Sequence, residues 1–176
     1  MIIATARLFI RAWCNKDAEQ FYLLSQDAGF NLHPITCYTQ KSIETAEIWL
    51  AAEMNSLENS GTGMMAVCEI ATGELIGIAG LRVIGAEHRF EVTYRFHESA
   101  WGRGYATEAA RAVLEYGFET LGLSEIAASI TPENKDSKKV AEKLGMKYSG
   151  NEVILGVNAE IFRVKRADFL NQPSNF

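Results

Sequence analysis

The chain has 176 residues, of which 48% are apolar, and a formal net charge of −5. That length and apolar content predict one domain, spanning residues 1–176, around one substantial core. No block of Lys and Arg stands out and the balance is acidic, which argues against nucleic acid or an anionic membrane surface as partner and suits a basic substrate.

Targeting and redox signals are sparse. Met1 to Trp13 is interrupted by Arg7 and Arg11 and has no continuous apolar region of the signal-peptide kind. No apolar run reaches the roughly 18 residues of a membrane span. Cys14, Cys37 and Cys68 are far apart, odd in number and without Cys-x-x-Cys spacing. They argue against a disulfide frame or zinc site and suit a reducing cytoplasm, with Cys68 a small core residue. His33, His88 and His97 include no pair four residues apart, so no metal site is expected.

Residues Arg7 to Ala12 alternate, Leu8 and Ile10 against Phe9 and Arg11, and predict a first strand. A helix follows over Lys16 to Asp27, with Ala18, Phe21, Leu24 and Ala28 as its buried stripe. Gly29 to Gln40 has no clear period and reads as an ordered loop. Ser42 is an N-cap for a second helix reaching Leu57, whose inner face is Ile43, Ala46, Leu50 and Met54. Asn59 to Gly63 breaks the chain. Apolar runs over Met64 to Ile70 and Leu75 to Val83 flank Ala71-Thr72-Gly73-Glu74, a hairpin signal. Gly85-Ala86-Glu87-His88 turns into a strand over Phe90 to Phe96, completing a meander.

The clearest helix ends near Leu121, with Ala106, Ala109, Ala110, Val113, Leu114, Gly117, Phe118 and Leu121 on one side and Gly122 closing it. Glu125 to Ile130 is a short strand. Thr131-Pro132-Glu133-Asn134 turns the chain into a helix over Lys135 to Leu144, apolar at Val140, Ala141 and Leu144 and ended by Gly145. Tyr148 to Gly156 and Ala159 to Arg166 read as an antiparallel pair turning at Val157-Asn158. No internal repeat or low-complexity segment interrupts this order.

Trp101-Gly102-Arg103-Gly104-Tyr105-Ala106-Thr107-Glu108-Ala109 joins the third meander strand to the long helix. A strand, a glycine turn and a helix start make an anion site, because the first helical N–H groups lack intrahelical partners and the dipole is positive there. Glycine admits a phosphate close to the backbone, and Arg103 offers a side-chain cation. The dinucleotide fingerprint fails, since Thr107 stands where its third glycine belongs and Glu125 opens rather than closes the next strand. No P-loop exists either. A lone Gly-x-Gly is as well explained by a tight turn.

The whole string is more specific. It resembles the pyrophosphate loop of the GNAT superfamily of acetyl-CoA-dependent N-acetyltransferases, and within it the branch of ribosomal-protein alanine and serine N-acetyltransferases. Arg7 to Trp13 resembles that branch's opening strand, Gly73 to Leu81 its central hairpin, and Asn134 to Met146 its second cofactor segment. The resemblance implies an α/β fold of the α+β type: a mixed, mostly antiparallel sheet with helices on both faces. It implies acetyl-CoA as cosubstrate, no metal, and direct transfer to an amine in a ternary complex.

The resemblance also implies roles. Tyr94 and Phe96 offer backbone groups to the pantetheine arm, where their strand splays from Glu125 to Ile130. Trp101, Gly102, Arg103, Gly104, Tyr105, Ala106 and Thr107 bind the pyrophosphate through main-chain N–H groups, with Trp101 chiefly a packing residue. Asn134 lines the slot, with Ser137 and Lys138 beside the cofactor; a plain turn or cap is the bland reading of Asn134. The superfamily's Gln or Arg before the first loop glycine is Ser99 here, and its usual Tyr acid is Ala141. Ser137 is the substitute acid, with water as competitor. Glu91 is the expected base, against a solvated strand carboxylate as its bland reading; Glu69 and His97 are weaker alternatives. Strand N–H groups near Tyr94 and Phe96 stabilise the oxyanion.

A protein N-terminal α-amine is the first expected acceptor, lying against the Gly29 to Gln40 loop and the second helix. A small amine such as a polyamine, an amino acid or an antibiotic is the second. The rival of another class is a non-catalytic acetyl-CoA sensor. An exposed hydrophobic edge would support a homodimer.

Overall fold

The computed structural model describes residues 2–33, 35, 37–85 and 88–171. Eight strands form one sheet: β1 (Ile2–Ala4), β2 (Leu8–Arg11), β3 (Gly63–Glu69), β4 (Leu75–Ile84), β5 (Arg89–Phe96), β6 (Glu125–Ile130), β7 (Lys147–Ile154) and β8 (Val157–Lys165). Their order is β1-β2-β3-β4-β5-β6-β8-β7. Every neighbouring pair is antiparallel except β5 and β6, which are parallel. The helices are α1 (Ala18–Leu24), α2 (Ile43–Ser60), α3 (Tyr105–Glu115), α4 (Lys135–Lys143) and α5 (Arg166–Leu170).

β3 shows why the centre of the sheet reads as an apolar run. All seven of its residues are buried. Met65 and Val67 pack with α3, while Met64, Ala66 and Cys68 pack with α1 and α2. A strand covered on both faces has no solvent side on which polar residues alternate. The α3 face also receives Ala141 and Leu144 around α4, and Phe169 of α5. On the other face Phe21 stacks on Trp49 with ring centroids 4.3 Å apart, and Trp13 meets both rings edge-on.

Several boundaries differ from the sequence reading. α1 stops at Leu24, and Ala28 lies exposed beyond it. Ser42 caps α2 as expected, accepting the Thr45 N–H at 3.3 Å. Ile43, however, is solvent-exposed at the rim, and Glu53 is buried on the inner face. Glu53 belongs there because it accepts the Met64 N–H at 2.6 Å and pairs with Arg82 at 2.6 Å. α3 closes with a π-helical turn over Tyr116–Thr120 before Gly122. The last hairpin turns at Leu155-Gly156, not at Val157-Asn158: Ile154 pairs with Val157 and both loop residues have positive φ, as a two-residue type I′ turn requires. β1 and α5 carry too short a pattern to have been expected. In the Gly85 to His88 turn, Ala86 and Glu87 lie outside the described residues.

The parallel pair positions the site. β5 and β6 share one register point, Glu91 with Ala127. Beyond it the strands diverge, and Val92 to Phe96 and Ala128 to Ile130 border a gap in the sheet.

Candidate active site

A cavity of about 1270 Å³ opens at this divergence. β5 contributes Glu91 to Phe96, β6 contributes Ala128 to Ile130, and Gly29, Phe30, Leu32, His33 and Ile35 close one side. The backbone of β5 is divided by its register. The His97 N–H donates to the Ile76 carbonyl on β4 at 2.9 Å, so odd-numbered residues of β5 face β4 and even-numbered ones face the gap. The peptide groups of Tyr94 and Phe96 therefore border the cavity. The Phe96 carbonyl already accepts the Trp101 indole N–H at 3.0 Å, so of these two residues Tyr94 has the freer acceptor.

The glycine turn borders the same cavity. Gly102 and Gly104 have φ of 71° and 82°, conformations glycine adopts without strain. A side chain at Gly102 would meet nothing within 4 Å, and at Gly104 only Arg7 Nη2 at 3.5 Å. The surface over both glycines is thus open to an approaching group. The first helical bond of α3 runs from the Glu108 N–H to the Gly104 carbonyl at 3.1 Å, so the N–H groups of Tyr105, Ala106 and Thr107 precede the ladder. Trp101, Gly102, Gly104, Tyr105, Ala106 and Thr107 all line the cavity.

Arg103 does not, which corrects the expected side-chain contact. Its guanidinium pairs with Glu69 at 2.6 Å on the other side of the turn. The Tyr105 side chain is buried and its hydroxyl donates to the same Glu69 oxygen, which holds the Glu69 carboxyl below the usual range. Trp101 packs over Gly29, where a Cβ would lie 2.9 Å from the indole.

On α4, Asn134 is the N-cap: its Oδ1 accepts the Ser137 N–H at 3.0 Å. Asn134 and Ser137 both line the cavity. The Ser137 hydroxyl is hydrogen-bonded with Tyr94, whose phenol burial pushes up to about 12. Lys138 turns away to Glu160 on β8, 2.8 Å off. Lys135, Lys139 and Lys143 face the cavity instead. Their spacing of four residues, one helical face, was the sequence signal that would have found them.

Glu91 is buried at the β5–β6 junction. Arg89 Nε and Nη2 approach its Oε1 at 2.8 and 2.6 Å, and Ser129 Oγ donates to the same oxygen at 2.7 Å. The alternatives Glu69 and His97 do not line the cavity; the His97 ring meets Ser99 at 2.8 Å and Asp27 at 3.4 Å. His33 does line it. Burial, then the nearby Arg95 cation, holds the His33 imidazole below its usual value. Arg95 also fastens the loop, donating to the Phe30 and His33 carbonyls at 3.0 and 2.7 Å. The loop's lack of periodicity concealed His33 as a site residue.

A family model described as an acetyltransferase (GNAT) domain matches residues 7–147. The chain belongs to the GNAT acetyltransferase family. It is therefore an acetyl-CoA-dependent N-acetyltransferase, and the matched span runs from the opening strand through α4. An uncharacterised N-acetyltransferase, YnaD of Bacillus subtilis strain 168, is 33% identical over 152 residues, covering 85% of this chain and 85% of its own. A GNAT-family acetyltransferase structure from Bacillus anthracis superposes with a TM-score of 0.79 at 25% identity, covering 95% of this chain and 99% of that one. A ribosomal L7/L12 α-N-protein acetyltransferase, solved in complex with coenzyme A, shares the fold with a TM-score of 0.80 at 15% identity, covering 94% and 98% of the two chains. The GNAT fold, with helices on both faces of a mixed sheet, agrees with the architecture expected from the sequence.

Proposed function

We propose that this GNAT enzyme transfers acetyl from acetyl-CoA to a protein N-terminal α-amine, by direct attack within a ternary complex. The observation that carries the reading is the convergence on one cavity of the splayed β5 edge, the N–H groups at the start of α3, and the cap of α4. A pyrophosphate suits the open glycine turn, a pantetheine arm suits the strip bounded by Tyr94, Phe96 and Asn134, and the thioester then falls beside the β5–β6 gap. The structural neighbour bound to coenzyme A acts on a protein α-amine, which favours that acceptor. The continuous sheet from Ile2 to Lys165 supports a single catalytic unit, and the cysteine spacing supports a cytoplasmic setting.

The chemistry assigned to this chain's residues is modest. An α-amine has a pKa of about 7.7–8.0, so it needs only a weak proton acceptor near neutral pH. Two groups lining the cavity suit that task. The contacts of Glu91 with Arg89 and Ser129 fall on Oε1, so Oε2 is the oxygen assigned to the amine or to a water beside it. His33 is held below its usual value by burial and Arg95, so its imidazole is neutral near neutral pH. N–H groups of the β5 edge stabilise the oxyanion. The departing thiolate, of pKa near 8.5 as a thiol, is protonated by Ser137 or by water.

The test is a thiol-release screen with acetyl-CoA over N-terminal peptides and small amines. Release with peptides supports the reading. Release with polyamines, amino acids or antibiotics alone would assign a small-molecule acceptor, and tight acetyl-CoA binding without any release would assign a sensor.

A further inference from the structure

We propose that Arg7 is a positioning residue for cofactor binding, which aims the Gly104 N–H into the cavity without touching the cofactor. The proposal rests on the reading that the glycine turn takes the pyrophosphate of acetyl-CoA.

Arg7 precedes β2, about a hundred residues before the turn in sequence, and it does not line the cavity. Its Nη1 donates to the Arg103 carbonyl at 2.9 Å. In a trans peptide the carbonyl and the following N–H point in opposite directions. Drawing the Arg103 carbonyl toward Arg7 therefore turns the Gly104 N–H away from Arg7, toward the open side. Without that bond the peptide is free to rotate, because glycines flank Arg103 and both tolerate either sign of φ.

Arg7 is itself held in place. Its Nε and Nη2 meet Glu108 Oε2 at 2.8 and 2.6 Å, and its backbone N–H meets Glu108 Oε1 at 2.9 Å. Thr5 Oγ1 donates to that same Oε1 at 2.6 Å. The guanidinium also lies 4.6 Å from the centroid of the Tyr105 ring, as does that of Arg103. Glu108 stands in the first turn of α3, so one carboxylate ties the edge of the sheet to the helix whose N–H groups form the site. Glu108 and Glu69 balance Arg7 and Arg103, so at the turn itself the directed N–H groups meet the anion.

Calorimetry on the full chain, with CoA and with pantetheine as probes, tests this. Wild type should bind CoA more tightly than pantetheine, which lacks the pyrophosphate. Arg7→Gln should weaken CoA about tenfold, the scale of one misdirected charge-assisted hydrogen bond, and leave pantetheine affinity unchanged. Arg7→Lys, which keeps one donor, should recover part of the loss. The melting temperature should hardly move, since an exposed ion pair contributes little to stability. Unchanged CoA affinity in Arg7→Gln, or equal losses for both probes, overturns the positioning role. A wild type that binds the two probes equally overturns the glycine-turn reading itself.

Discussion

Asn134 Oδ1 accepts the Ser137 N–H at 3.0 Å, and this bond separates two roles that the sequence left merged. Asn134 caps α4, so Ser137 is not needed as a cap and its hydroxyl is left to Tyr94 at the cavity wall.

Substituting Ser137 by Ala should accordingly lower kcat while acetyl-CoA affinity and melting temperature stay nearly constant. The loss should lie toward or below the low end of the roughly 10²–10⁴-fold range of a positioned acid, because a thiolate is already a tolerable leaving group. Asn134→Ala should instead cost about 0.5–2 kcal/mol of stability. Steady-state kinetics and thermal melts on the two variants check both; an unchanged kcat in Ser137→Ala would leave protonation to water.

The pH profile should distinguish the two proton acceptors. His33 titrates below its ordinary value because burial and Arg95 oppose its charge. An imidazole accepts a proton only when neutral, so kcat/KM should show a limb that rises with pH through a midpoint below about 6.5, separate from the amine's own titration at about 7.7–8.0. His33→Gln should abolish that limb and lower the plateau, whereas Glu91→Gln should lower the plateau and keep the limb. A wild-type limb preserved in His33→Gln would return the role to Glu91. The same shift acts on stability. The unfolded chain binds the proton more readily, so stability contributed by neutral His33 is present above the unfolded value and is lost as pH falls toward the folded one.

Gly104→Val should abolish measurable CoA binding with the fold retained. No protein atom closer than 3.5 Å opposes the new Cβ, so the structural cost is the positive φ, about 1–2 kcal/mol. A β-branched residue held at this positive φ would also distort the turn whose N–H groups are proposed to take the pyrophosphate. Calorimetry should show no CoA heat, and circular dichroism should match wild type with a somewhat lower melting temperature. Wild-type affinity in the variant would refute the turn's assignment.

Leu155 holds a left-handed conformation, φ 51°, at the tip of the β7–β8 hairpin. Its side chain is 82% exposed, so little burial offsets the strain. Leu155→Asn, which tolerates this region and suits a type I′ turn, should raise stability by about 1 kcal/mol. Denaturant melts read the change directly; a loss of stability would show that Leu155 makes a contact outweighing its strain.

Local chemistry made much of the chain legible. The strand β6 and the helices α2, α3 and α4 were all expressed in periodicity, capping residues and glycines, because those signals act between residues a few positions apart. The glycine turn was equally clear, since a backbone that must bend and expose its N–H groups needs glycine in place. Side-chain partners were another matter. Arg103 was expected at the anion and sits on Glu69; Lys138 was expected at the cofactor and sits on Glu160; Glu53 hid in an apolar stripe because Arg82 and the Met64 N–H were waiting for it. Helical geometry gives the direction of Lys138, but the carboxylate it finds arrives on a strand more than twenty residues later. Periodicity, capping and glycine placement thus specified the elements and the glycine turn, whereas the pairing of charges, and which of them remain facing the cavity, was settled only by folding, because it depends on groups brought together when the sheet closes.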